Sequence, residues 1–254
     1  MQTHLSAAVV ALAVAVSFLV GLDKGGLGGA LGVLAVPLLS LALPVQEVVG
    51  LLLPVLIVGD IFAVSAHWRR WDARLFWALF PGGVVGTLLG TFVLVSISSA
   101  ALRIGLGAFV LLFAGYRLVV ERRLRERGQS ARDGYQRRGW HGWLAGTLSG
   151  ITSSLAHAGG PPVTAFLLLQ EVEPRVFVAT SALYFAALNL VKVPSYLIGG
   201  VFAALPLPVM LLMIPFIPVG VWLGRRLSQR VERTVFERVI VGLLVMSGVL
   251  LIVT

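Results

Sequence analysis

The chain contains no cysteine. Disulfides, thiol chemistry and thiolate-bound metals are therefore excluded. Histidine is scarce, with His4, His67, His141 and His157 as the full set. No metal site and no other cofactor is expected. Charge is scarce as well. Asp, Glu, Lys and Arg make up 12% of the 254 residues, against about 25% in soluble domains. Hydrophobic residues reach 58%. So little polar surface cannot keep a globule of this size wet, so lipid must solvate most of it. The 29 glycines fit that solvent, because membrane helices use small residues to approach one another closely.

The net charge of +9 would suit a nucleic-acid partner, but its distribution argues against one. Three basic residues fall in 67–74, eight in 117–138 and five in 225–238, sixteen of the twenty in the chain. Each cluster fills a short polar gap between apolar runs. Short cytoplasmic loops of membrane proteins are rich in Lys and Arg. Trp68, Trp71 and Trp77 flank the first cluster, and Trp140 and Trp143 follow the second, as residues of the membrane interface do.

A spanning helix needs about 20 apolar residues. The runs 48–66, 75–96, 100–120, 176–198, 205–223 and 235–253 meet that requirement. Two regions differ. The run 5–43 is interrupted by Asp23-Lys24-Gly25-Gly26-Leu27-Gly28-Gly29, and 140–170 by Thr152-Ser153-Ser154 and then His157-Ala158-Gly159-Gly160-Pro161-Pro162. Their arms are marginal for spanning and suit broken helices. With the basic loops placed inside, the two halves show the same segment pattern in opposite orientation, and both termini lie outside. The expected fold is an all-α polytopic membrane protein. It has eight to ten helical segments in two inverted-topology repeats, each with a Gly-rich broken helix pair. The first repeat covers 1–120, a basic cytoplasmic linker 121–139, and the second repeat 140–254. Internal matches support a duplication. Pro44 and Pro174 both precede long helices, Asp60 and Asn189 lie at matching depths, and Gly86-x-x-x-Gly90 answers Gly220-x-x-x-Gly224.

Irregular backbone at membrane depth is tolerated only within protein or beside a water-filled cavity. Secondary transporters use it to bind substrate between inverted repeats, with helix N-termini aimed at an anion. Both breaks here read as such N-termini, one opening the run 30–43 and the other 163–169. Backbone N–H groups at Gly25, Gly26, Gly28, Gly29, Gly159 and Gly160 would then face an anion. Lys24 would attract it, and Ser153 and Ser154 would donate hydrogen bonds. His157 could tie transport to pH. Asp60, Asn189 and Lys192 are candidates for gating or coupling, although Lys192 lies near a helix end and could instead snorkel to the interface. No catalytic residue is expected.

These motifs resemble those of the TauE/SafE family of sulfite and organosulfonate exporters, a likeness that runs over nearly the whole chain. It rests on Lys24-Gly-Gly-Leu-Gly-Gly29 with Pro37-Leu38-Leu39, and on Ser153-Ser-Leu-Ala-His-Ala-Gly-Gly-Pro-Pro162 with Phe166-Leu-Leu-Leu-Gln170 and Asn189-Leu-Val-Lys-Val-Pro194. The resemblance implies export of sulfite, sulfoacetate or a similar small sulfur anion across the cell inner membrane. The usual glycine triplet of the second half is replaced here by His-Ala-Gly-Gly-Pro-Pro. The partners expected are the anion and the lipid bilayer, with no nucleic acid; proton coupling and oligomeric state stay open. Competing readings are uptake of thiosulfate or another small anion, an intramembrane hydrolase using Ser153 or Ser154 with His157, and a structural subunit.

Overall fold

The computed structural model describes residues 6–27, 32–98, 139–170, 172–203 and 205–227, with scattered positions between 100 and 119 and residue 249. Gly28, Gly29, nearly all of the expected linker and nearly all of the run 235–253 lie outside the described residues.

The described elements are helical, with no strand among them. Helix α1 (Ala7–Leu22) begins at Ser6, whose hydroxyl accepts from Val9 N at 3.3 Å. It runs on through a wide, π-helical turn, Asp23–Leu27. Then come α2 (Gly32–Leu39), α3 (Val45–Ala66), α4 (Ala73–Ser96), α5 (Gly139–Ala156), α6 (Gly160–Leu168), α7 (Pro174–Ile198), α8 (Leu207–Met213) and α9 (Phe216–Leu227). Asp72 caps α4 by accepting from Arg74 N at 2.7 Å and Leu75 N at 3.2 Å.

Among the described residues, five segments are long and apolar enough to cross a membrane: Ala7–Gly26, Val45–Ala66, Ala73–Ser96, Arg175–Ile198 and Leu207–Arg226. The chain is a multi-pass membrane protein. Large apolar side chains such as Leu88, Leu89 and Phe92 stand exposed on α4, as suits a face turned to lipid. The short arms α2 and α6, of 8 and 9 residues, are too short to span on their own.

Two expectations need adjustment. The run 205–223 is not one uninterrupted helix. It divides into α8 and α9 at a turn over residues 214–215, where Pro215 supplies no backbone N–H. The first break also differs. The chain stays helical through Gly25 and Gly26, and α2 is described only from Gly32.

Glycine seams set the helix positions. Along α4, a Cβ on Gly82 would lie 2.1 Å from the Trp143 carbonyl oxygen, and one on Gly86 would lie 2.1 Å from that of Thr147. In return, a Cβ on Gly146 of α5 would lie 2.0 Å from the Leu79 carbonyl oxygen. No side chain fits between these backbones. A second seam joins α1 to α9. There a Cβ on Gly21 would meet Gly220 Cα at 2.6 Å, and one on Gly224 the Leu22 carbonyl oxygen at 2.4 Å. Helices α3 and α7 pack against each other, and α3 is walled by Leu51, Leu52, Leu53 and Val55, all fully buried.

Candidate functional site

Helices α3 and α7 bring polar side chains to one place. Asp60, two-thirds of the way along α3, is 3% exposed. One of its oxygens pairs with Lys24 Nζ from the wide turn after α1. The other accepts from Asn189 Nδ2 of α7 at 2.6 Å. Gly59 makes room for this pairing, since a Cβ there would lie 3.3 Å from Lys24 Cγ. The Lys24 ammonium also sits 5.6 Å from the centre of the Phe185 ring, within cation–π range.

The chain of contacts continues to the second break. Lys192 Nζ donates to Asn189 Oδ1 at 3.0 Å and to Ser153 Oγ at 2.7 Å, and lies 3.2 Å from His157 Nδ1. His157 Nε2 is 2.9 Å from the Val49 carbonyl oxygen on α3. A carbonyl only accepts, so Nε2 carries the proton and Nδ1 accepts from Lys192. These three partners of the buried Lys192 are neutral.

His157 has φ of 50°, in the left-handed region that L residues with a side chain seldom adopt. Such strain costs about 1–3 kcal/mol and persists only where the surroundings fix it. Here the two ring contacts fix it, and the distortion ends α5 and aims the chain at α6. Gly159, packed so that a Cβ would fall 2.7 Å from Ser149 Oγ, caps α6, and its carbonyl accepts from Ser149 Oγ at 2.8 Å.

Six expected site residues therefore meet: Lys24, Asp60, Asn189, Lys192, Ser153 and His157. Others are placed differently. Ser154 turns away to the Thr87 carbonyl oxygen at 3.1 Å. Gly25 lies within the wide turn, where a Cβ would be 2.2 Å from the Val221 carbonyl oxygen. Its role is close approach to α9, and it is not at a helix start. Gly26 shares that turn. Gly160 does begin α6, but Pro161 and Pro162 follow it, so the first turn lacks two of its free N–H groups. An anion near this break would depend on side chains more than on backbone. Lys192 does not snorkel. It is fully buried, six residues before the end of α7, about 9 Å along the axis. Neither serine forms a pair with His157: Ser153 and His157 both turn to Lys192.

Sequence reading missed Tyr196, Phe185 and the Val49 carbonyl. Tyr196 donates to the Ser154 carbonyl oxygen at 2.6 Å and is fully buried. The spacing 185, 189, 192, 196 marks one face of a helix, and that periodicity was the available signal. The two breaks also touch. A Cβ on Gly32 would lie 3.3 Å from Asp23 Oδ2 and 3.4 Å from the His157 carbonyl oxygen.

Interrupted helices around buried ionisable groups are an arrangement that membrane transporters use, because such groups are costly in lipid and mark substrate or ion paths. The chain belongs to the sulfite exporter TauE/SafE family, whose model matches residues 13–251. No curated protein and no solved structure matches it at a significant level.

Proposed function

We propose that this protein is a secondary transporter that exports small sulfur anions such as sulfite or sulfoacetate by alternating access. In this reading it sits in the inner membrane, with the basic loops in the cytoplasm and both termini outside. The observation that carries it is the buried chain Lys24–Asp60–Asn189–Lys192–Ser153/His157, which links the two helix breaks through α3 and α7. Buried Lys192 and the mostly buried Lys24, its side chain 10% exposed, give an anion its counter-charge. Ser153, and His157 once its contacts open, add donors for its oxygens.

The packing supports two inverted halves, 1–120 and 140–254. Helix α1 lies on α9 and α5 on α4, each along a glycine seam, while α3 meets α7. Equivalent elements of two inverted repeats would exchange partners in this crosswise way. Rocking of one broken pair against the other would expose the lysines alternately to each side.

The test is calorimetric binding of sulfite and sulfoacetate to the detergent-purified chain, with chloride and sulfate as controls. Saturable binding that Lys24→Ala weakens by about tenfold or more is the expected result, since a charged hydrogen bond is worth about 1.5–3 kcal/mol. Unchanged affinity in Lys24→Ala would remove that residue from the site. Absence of binding by every sulfur oxyanion would refute the substrate class.

A further inference from the structure

Asp60 is the carboxylate that occupies Lys24. It offers two oxygens and one negative charge on a planar group, and both oxygens are used. One takes the Lys24 ammonium. The other takes the Asn189 amide at 2.6 Å, whose own oxygen accepts from Lys192 at 3.0 Å. A bound sulfur oxyanion would need these same donors. We propose that Asp60 is a resident anion, a built-in competitor that holds Lys24 until substrate displaces it, and that the displaced carboxylate then takes up one proton from solvent. The proposal rests on the anion-carrier reading of this site.

The physical reason is how little of the pair water reaches, with side chains 10% and 4% exposed. A carboxylate that loses its ammonium in a dry site is far more costly than a paired one, and it escapes the cost by becoming neutral. The surroundings leave few other ways out. The turn Asp23–Leu27 brings Asp23, a second acid, beside Lys24. Helix α7 brings Lys192, whose three contacts are neutral, with Tyr184 before it, Tyr196 after it and Arg175 at the helix start, while α3 itself carries Glu47 in its first turn and ends at His67. The break after α5 brings His157, already donating to Val49, and His141 lies at the opposite end of α5. The basic residues of α9, Arg225 and Arg226, lie at its last turn. Helices α1, α2 and α8 contribute no titratable side chain.

No covalent step is involved. Lys24 exchanges one anionic partner for another, and the proton moves from water to an Asp60 oxygen. Export of each anion would thus carry a proton with it, and the pair would dissociate together on the far side.

The test measures sulfoacetate and thiosulfate binding to the full-length protein in buffers of different ionisation enthalpy, which reports protons taken up per anion bound. Wild type should take up close to one proton. Asp60→Asn keeps the shape and the Asn189 contact but removes the competing charge. It should bind about tenfold or more tightly, from the loss of one charged hydrogen bond that substrate must break, and take up none. Tight binding by Asp60→Asn where wild type binds too weakly to measure would support the same conclusion. Wild-type binding with equal or weaker affinity in Asp60→Asn would overturn the competitor role and leave the carrier reading intact. Failure of both proteins to bind any sulfur oxyanion would overturn both. Should Asp60→Asn not fold, binding by wild type without proton uptake overturns the proposal.

Discussion

One methyl group at Gly146 should loosen the whole molecule. Its Cβ would stand 2.0 Å from the Leu79 carbonyl oxygen and 3.0 Å from Gly83 N. Both are backbone atoms of α4 and cannot rotate aside. Real Cβ atoms do not approach closer than 3.0 Å, so α4 and α5 must part by about 1 Å. A gap of that size forfeits a quarter to a half of each dispersion contact it opens. Overpacking costs about 1–3 kcal/mol, and this site belongs at the upper end, because Gly82, Gly86 and Gly150 lock the same seam. About 3 kcal/mol corresponds to about 6–12 °C in melting midpoint for a chain of this length. Scanning fluorimetry in detergent measures it, with Gly139→Ala as the control, since nothing lies within 4 Å of that position. Anion binding should fall as well, because α5 carries Ser153 and leads directly to His157. A Gly146→Ala protein melting with the wild type, or a Gly139→Ala protein falling as far, would refute close packing as the reason for these glycines.

Three other outcomes are expected. Ser154→Ala should cost about 1 kcal/mol, the net value of one buried neutral hydrogen bond, yet leave anion affinity near wild type; a large loss of affinity would return Ser154 to the site. Lys192→Met removes three hydrogen bonds but also the several kcal/mol of desolvation that a buried ammonium bears, so the protein should fold, melt near the wild type and lose anion binding. Retained binding would show that Lys24 suffices. His67, between α3 and α4, has its imidazole pushed below the ordinary value of 6.5 by burial first and by Arg225 second. The unfolded chain then binds more protons than the folded one at mildly acid pH, so stability should be full above about pH 6.5 and fall as the pH drops below it. Melting midpoints taken across that window should show a shallower acid-side slope in His67→Gln, and equal slopes would contradict this.

The long helices were legible in the sequence because lipid imposes both length and polarity on them. The limits 48–66, 75–96 and 176–198 differ from the observed helices by no more than three residues. Asp60 and Asn189 were legible as a pair of matching positions, though not as partners in contact. What stayed hidden was tertiary. A glycine cluster reads the same whether its amides face a ligand or its bare Cα faces a neighbouring helix, and at Gly25 the neighbour is Val221. Lys192 could reach for the interface or for a partner, and only the position of α5 decides that Ser153 and His157 receive it. The break at Pro215 had a local signal, but the apolar composition around it does not change there.

The arrangement of these contacts bears on how the protein would move. Both lysines and the His157 ring are already engaged, and the partners come from separate elements: Lys24 on the turn after α1, Asp60 on α3, Lys192 on α7, and Ser153 and His157 at the end of α5. Substrate therefore cannot enter without parting some of these elements. His157 combines its positive φ with ring contacts to Val49 and Lys192. If Lys192 turned to an anion as proposed, one of those two contacts would go and the strained backbone at the second break would be free to relax. Under the proposed carrier reading, binding and backbone rearrangement would in this way be coupled at His157, where α5 gives way to α6.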